Sequence, residues 1–339
     1  MRWIRRAAVV AAFAAAGVLA TSEAIAGKPG GGGGGGTIDK VYYSTGSQAH
    51  RVSSDGTGHE TLMAANSNAH PSYRLHGGKR WFLVKQLTSG ETNLRGQTQI
   101  DLYAVREDGL SVRLTSDPAF NARGVWRFGR DEDGSSVTIF GPARRFASDG
   151  SSIAGSGGLY FATVTFDGSG SATGLSGGPT FIASVGIRSS GDEEPNVFRA
   201  QDVTPDMTTV VLDSYEPGND IRLLDIATGT ITTVLQTSGH SIDDVTFLSD
   251  GNKILFARQD SSLYSYIEKI SLDGSGRAVI VKSQRNVFIA LPSSSPDSAM
   301  LVYTDYGSSN LNPSVYKVSV NGGPKTNLAS GYTLGWRMP

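Results

Sequence analysis

The chain has 339 residues, 38% of them apolar and 18% charged, with 43 glycines and no cysteine. That length can carry a sizeable core, and the missing cysteine excludes both a disulfide scaffold and a lipid-anchored N-terminal cysteine. The formal net charge is −1; without residues 1–26, which hold three Arg and one Glu, 27 basic face 30 acidic side chains, or −3, so nucleic acid is not an expected partner.

Residues 1–26 read as a secretory signal. Arg2, Arg5 and Arg6 open it, residues 7–20 are apolar, and Ala24-Ile25-Ala26 gives a small-x-small cleavage pattern before Gly27. The 14 apolar residues fall short of the roughly 20 that span a bilayer. The expected mature protein is therefore periplasmic or secreted, with no membrane span after cleavage. Residues 27–37 form a glycine-rich spacer, seven consecutive glycines occupying 30–36.

From residue 38 onward one unit recurs six times. Its first landmark is a strand running into a turn: HRVSSDG (50–56), LYAVREDG (102–109), FATVTFDG (161–168), LLDIATG (223–229), EKISLDG (268–274) and YKVSVNG (316–322). Asp-Gly and Asn-Gly favour two-residue hairpins, so each pair predicts a reversal between antiparallel strands. The second landmark follows a short strand and a connector: PSYRLHGG (71–78), GVWRFGRDEDG (124–134), QDVTPDM (201–207), VTFLSDG (245–251), PSSSPDS (292–298) and LGWRMP (334–339). An apolar strand follows all but the last. The turns recur at about 45 to 60 residues, the range of four-stranded propeller blades. No stretch after residue 26 holds a capped helical period.

The second landmark resembles the Pro-Ser-Trp-Ser-Pro-Asp-Gly repeat of TolB-like propellers, also called PD40 or WD40-like repeats. Residues 295–297 carry it as SPD, 205–206 as PD, 249–251 as SDG and 71–73 as PSY. Trp126 and Trp336 stand at its aromatic position, with Phe247 and Tyr73 as equivalents. The six units cover residues 38–339. Two depart from the pattern, at Arg74-Leu75-His76 and at residues 129–134. The resemblance implies an all-β, six-bladed β-propeller with four antiparallel strands per blade and the repeat strand innermost. The chain opens, at residues 40–44, on the strand type that follows an inner strand, and closes on an inner strand. The C-terminal strand, residues 333–337, is thus expected to pair beside 40–44 and shut the ring.

Several constellations bear on chemistry. Four of the five histidines, His50, His59, His70 and His76, fall in the first unit, at spacings that match no zinc motif. Residues 131–135, DEDGS, alternate oxygen ligands as calcium loops do, yet lack the closing glutamate; no cofactor is expected, calcium being the one candidate. Gly174-Leu175-Ser176-Gly177-Gly178 matches the hydrolase G-x-S-x-G in letters only, because no helix follows. Asp243 and Asp244 precede an inner strand, where alternation would send neighbours to opposite faces and keep them from one site.

Residues just before each inner strand would meet a ligand in the channel: His70, Arg123, Gln201, Asp244, Leu291 and Thr333. The region 141–200 reads as the longest connector and the best surface site, with Asp192, Glu193 and Glu194 at its charged part. The function expected is an exported, monomeric, non-enzymatic propeller that binds a protein or peptide of the cell envelope at its channel mouth or long loops. The alternative is a carbohydrate-active lyase or hydrolase, metal-dependent in one form. Protein recovered after export is expected to begin at Gly27, which N-terminal sequencing reads directly. A chain that keeps Met1 and sediments with membranes would contradict the signal.

Overall fold

The computed structural model divides the chain into two units, Met1–Ile38 and Asp39–Pro339. It describes residues 40–335 except 46–47, 65–68, 77–78, 123–125, 132–135, 152, 154–156, 184–197, 205, 207, 215–219, 239 and 309–311. The proposed signal and spacer, Trp336 and Met338 lie outside the described residues.

Those residues form strands and turns. In chain order they are β1 (Lys40–Ser44), β2 (Gln48–Ser53) and β3 (Glu60–Ala64); β4 (Ala69–His76), β5 (Lys79–Thr92), β6 (Thr98–Arg106) and β7 (Ser111–Arg113); and β8 (Phe120–Ala122), β9 (Arg127–Asp131), β10 (Ser136–Arg145), β11 (Gly158–Phe166), β12 (Ala172–Leu175) and β13 (Thr180–Ala183). There follow β14 (Phe198–Val203), β15 (Thr209–Ser214), β16 (Ile221–Asp225) and β17 (Ile231–Leu235); β18 (Ser241–Phe247), β19 (Lys253–Gln259), β20 (Ser265–Ser271) and β21 (Ala278–Lys282); and β22 (Ile289–Ser294), β23 (Met300–Asp305), β24 (Ser314–Ser319), β25 (Thr326–Ser330) and β26 (Tyr332–Gly335).

They make six antiparallel sheets. Sheet one has the order β26-β1-β2-β3, sheet two β4 to β7, sheet four β14 to β17, sheet five β18 to β21 and sheet six β22 to β25. Sheet three is built on the long β10 and β11: β8 and β9 both pair with β10, and β12 and β13 both pair with β11. It thus keeps four strand positions, with the first and last each broken in two. This corrects two expectations. Uniform four-stranded blades fail here, and residues 141–200 are not one long connector, since β10 to β13 take up much of the stretch. The first strands of neighbouring sheets adjoin around the ring: β26 with β4, β4 with β9, β14 with β18, β18 with β22 and β22 with β26, with β10 meeting β14 between sheets three and four. The arrangement is an all-β propeller.

The core lies between the sheets. In β15, Val210 and Leu212 pack towards sheet three with Phe140 and Leu159, while Val211 packs towards sheet five with Ile254 and Phe256. In β19, Ile254 and Phe256 join that layer, whereas Leu255 and Ala257 meet Leu301 and Tyr303 of sheet six. In β23, Val302 turns to Val41 and Val52 of sheet one. A strand covered on both faces is apolar along most of its length, which accounts for the apolar runs after all but the last of the second landmarks. Fully burying each such side chain is worth about 1.5–3 kcal/mol.

The turns differ from the two-residue hairpins expected. Gly56 N–H donates to Ser53 O (2.8 Å) and Ser53 N–H to Thr57 O (2.9 Å), so the loop has three residues with a left-handed glycine last. The loops at Gly109 and Gly274 repeat this pattern. In the third unit the left-handed residue is Gly170, with φ of 74°, rather than Gly168. Gly274 has a second reason to be glycine: a Cβ there would stand 2.7 Å from Val234 O of the preceding sheet. Gly141 is needed for packing, because its Cβ would sit 2.5 Å from the buried Trp126 ring.

The Ser-Pro-Asp letters also acquire a physical meaning. Ser295 Oγ donates to Asp297 and accepts Met300 N–H (2.9 Å), and Asp297 Oδ1 accepts Ala299 N–H (3.0 Å). Thr204 and Asp206 repeat the motif in sheet four. Such bonds favour the ionised carboxylate and hold its pKa below the ordinary value. The nearby hydroxyl is the main cause at Asp149, Asp167, Asp206, Asp273 and Asp297, and a backbone N–H at Asp55 and Asp225.

Ring closure matches the expectation. β26 pairs with β1, placing Tyr42 opposite Gly335, Tyr43 opposite Thr333 and Ser44 opposite Tyr332. Thr333 is buried, and its N–H donates to Thr304 Oγ1 of sheet six at 2.8 Å.

Two outcomes follow. Deleting residues 332–339 is expected to lower the melting temperature by on the order of 10 °C or to yield aggregate, because one edge of β1 and the adjoining core layers lose their cover. Deleting residues 30–36 should change neither melting nor solubility, and equal melts for both truncations would show another mode of closure. The turn carboxylates also set an acid limit. Their folded pKa values are depressed, so their contribution is complete above the unfolded value of about 3.9 and is lost as pH falls through the lower folded values. Melting temperature should be flat from about pH 7 to 5 and drop below about pH 4. An unchanged melt at pH 3 would refute this role.

Candidate functional site

At one end of the ring, where the inner strands begin, β4, β14, β18 and β22 each carry a pairing irregularity, the last three with described side chains. Pairing shifts between Ala200 and Asp202 in β14, between Asp243 and Thr246 in β18, and between Ala290 and Ser293 in β22. These bulges fall at Gln201, Asp244 and Leu291, three of the residues expected to meet a channel ligand. Asp244 and Leu291 hold left-handed backbone, with φ of 52° and 54°. Non-glycine residues seldom adopt that conformation unless the surroundings enforce it.

Here the surroundings are the next sheet. Leu291 N–H donates to Asp244 Oδ2 at 3.1 Å, tying sheet six to sheet five. One sheet back, the fully buried Asp202 accepts Val203 N–H (3.0 Å), Phe247 N–H (3.1 Å) and the Thr246 hydroxyl, tying five to four. Gln201 Nε2 donates to the buried Asp213 at 3.1 Å. Thr333, expected at the mouth, instead spans the joint between sheets six and one through Thr304. The sequence gives no hint that Asp202 and Thr304 are latches, because partners 44, 45 and 29 residues away leave no local pattern.

Beside these latches lies an aromatic cluster. Ile289 pairs with Asp305, so Phe288 and Tyr306 flank the same end of sheet six, and their rings stand 5.3 Å apart. Tyr332 of β26 brings a third ring within 5.7 Å of Tyr306. All three are half-buried, and Leu291 joins Phe288 and Tyr306 at the edge of the core between sheets five and six. The Tyr306 hydroxyl is pushed well above its ordinary pKa by burial first, then by Asp244, Tyr332 and Asp243. The β18 bulge falls at Asp244, next to Asp243, and locally interrupts the alternation from which the two were expected to face apart.

The other candidates separate. Arg123, Asp192, Glu193 and Glu194 lie outside the described residues, as do residues 132–135 of the calcium candidate and the side chains of His70 and His76. Among the described residues no group of three or more His, Cys, Asp or Glu converges on a metal position. His50 stacks on Tyr43 with centroids 5.0 Å apart and bonds Thr45 and Thr61, while His59 Nδ1 meets the Tyr43 hydroxyl at 2.9 Å. Burial, and then His59, lower the His50 pKa. Gly174 and Leu175 end β12 and lead through Gly177 (φ 80°) to β13, so the serine between them stands on no nucleophile elbow.

No protein-family model and no curated protein matches the sequence. Solved structures do match. A putative TolB from Agrobacterium tumefaciens superposes with a TM-score of 0.56 at 14% identity, over 88% of this chain and 94% of that one. The fold is that of the TolB propellers. TolB from Acinetobacter baumannii superposes at 0.52 with 16% identity over 87% of this chain, which spans 64% of that protein's length. An oligogalacturonate lyase in complex with manganese superposes at 0.46 with 13% identity, over 87% of this chain and 72% of that one. The TolB-like propeller thus accounts for nearly all the described strands. Among the described residues no helix is long and apolar enough to cross a membrane.

Proposed function

We propose that the chain is an exported, non-enzymatic, six-bladed propeller that binds a protein or peptide at the mouth where its inner strands begin. Residues 1–26 act as its signal, 27–37 as a spacer and 38–339 as the binding domain, working as a monomer in the periplasm or outside the cell. The observation that carries this reading is the set of bulges at one level of β14, β18 and β22. In this reading half-buried Gln201, Asp244 and Leu291 line the mouth, the Leu291 backbone held by Asp244 of the neighbouring sheet and the Gln201 side chain by Asp213. A rigid rim of mixed polar and apolar side chains suits a peptide, since little order is lost when the ligand seats. The TolB-like fold supports the same reading.

Panning a random peptide display library on the purified protein is expected to enrich binders. Leu291→Trp, which overfills the rim, should abolish their capture while the protein still melts cooperatively. Replacing Asp192, Glu193 and Glu194 together by Ser should leave capture unchanged. The reverse pattern would move the site to the segment around 184–197. No binders, together with shortening of an oligosaccharide substrate, would favour the carbohydrate-active alternative.

A further inference from the structure

We propose that Asn321 is a site of spontaneous deamidation, converted to aspartate with the help of Lys269 in the neighbouring sheet. Two joints of the ring, compared side by side, point to it. Lys269 in β20 donates from Nζ to Val320 O at 2.9 Å and to Asn321 Oδ1 at 2.8 Å, tying sheet five to the β24–β25 turn of sheet six. One sheet on, Lys317 holds the corresponding place in β24 and donates to Ser54 O in the β2–β3 turn of sheet one. The residue after Ser54 is Asp55, and Lys317 is among the groups that lower its pKa. The two joints thus share the lysine and the carbonyl and differ in the turn residue, aspartate in one and asparagine in the other. The turns after β6 and β20 also hold aspartate there, as Asp108 and Asp273.

Asn321 is the one asparagine of the chain that precedes a glycine. Gly322 has a left-handed φ of 85° and carries no side chain to shield its backbone nitrogen. In the first step that nitrogen gives its proton to solvent base and attacks Asn321 Cγ. The bond from Cγ to the amide nitrogen breaks, ammonia leaves with a proton from water, and a five-membered imide closes. Water then opens the imide at either carbonyl, giving aspartate or its β-linked isomer, so one water enters and one ammonia leaves. Negative charge gathers on Oδ1 during the attack, and an ammonium already donates to that atom. Asn321 is exposed, so water reaches the site. The Gly322 N–H donates to Ser319 O at 2.9 Å, a bond that must open first, which makes the conversion slow. The aspartate product pairs with Lys269 and gives this joint the charges of the next one.

The test follows amide loss in the purified full-length protein by peptide mapping and mass spectrometry during prolonged incubation at mildly alkaline pH. Asn321 is expected to react before Asn252 and Asn327, which are also exposed but precede Lys and Leu. Lys269→Met keeps an unbranched stem without the ammonium and should slow Asn321 by about fivefold, leaving Asn252 and Asn327 unchanged. The factor is smaller than the hundredfold or so lost with a buried oxyanion donor, because solvent screens this site. Lys269→Gln is a second variant with the same expectation, and Lys269→Arg, which keeps a cationic donor, should retain most of the rate. In urea-unfolded protein the wild type and Lys269→Met should convert alike. An Asn321 amide still intact after Asn252 or Asn327 has reacted would overturn the site. Rates in the folded neutral variants equal to the wild type, or faster, would overturn the proposal too, since the lysine contact would then be neutral or protective.

Discussion

A strand that is apolar on both faces is stable only with a sheet on either side. The second strands of the sheets are of this kind, as β15, β19 and β23 show by handing alternate side chains to opposite neighbours. A stack of such sheets always leaves two outer faces unsatisfied, and bending it into a ring removes both. The architecture therefore depends on the pairing of β26 with β1, and the polar joints between sheets presuppose it.

Those joints decide the character of the mouth. Apolar layers resist separation but tolerate sliding, since dispersion and burial carry little direction. Asp202 and Asp244 add direction, each reaching a backbone N–H of the next sheet and fixing how far one sheet can move along its neighbour. At the opposite end the turn glycines fit closely against the preceding sheet, as Gly274 does against Val234, and Lys269 reaches Val320 O and Asn321 of the following one. Neighbouring sheets are thus tied at both ends.

The sequence made most of the fold legible because the fold is written in local letters. Asp-Gly turns, apolar runs and Ser-Pro-Asp corners each depend on residues within a few positions of one another, and their succession predicts the ring and its closing strand. What it concealed depends on partners far along the chain. The split strands of sheet three follow from the length of β10 and β11, for which no residue type is diagnostic. The Leu291 bulge is tied by a hydrogen bond to Asp244 of the neighbouring sheet, a partner that no local pattern marks. The aromatic cluster draws Phe288 and Tyr306 from one unit and Tyr332 from the closing strand, and no spacing rule joins them. Of the mouth residues anticipated, Gln201, Asp244 and Leu291 share a structural level, while Thr333 became a joint.

The antiparallel seam has a mechanical consequence. Lys40, where β1 begins, and Gly335, where β26 ends, lie near the same end of the strand pair. Tension applied through the two chain ends would load the seam one hydrogen bond at a time, as in peeling tape, rather than stretching all of them together. Tethered between two anchors, the ring would open first at sheet one.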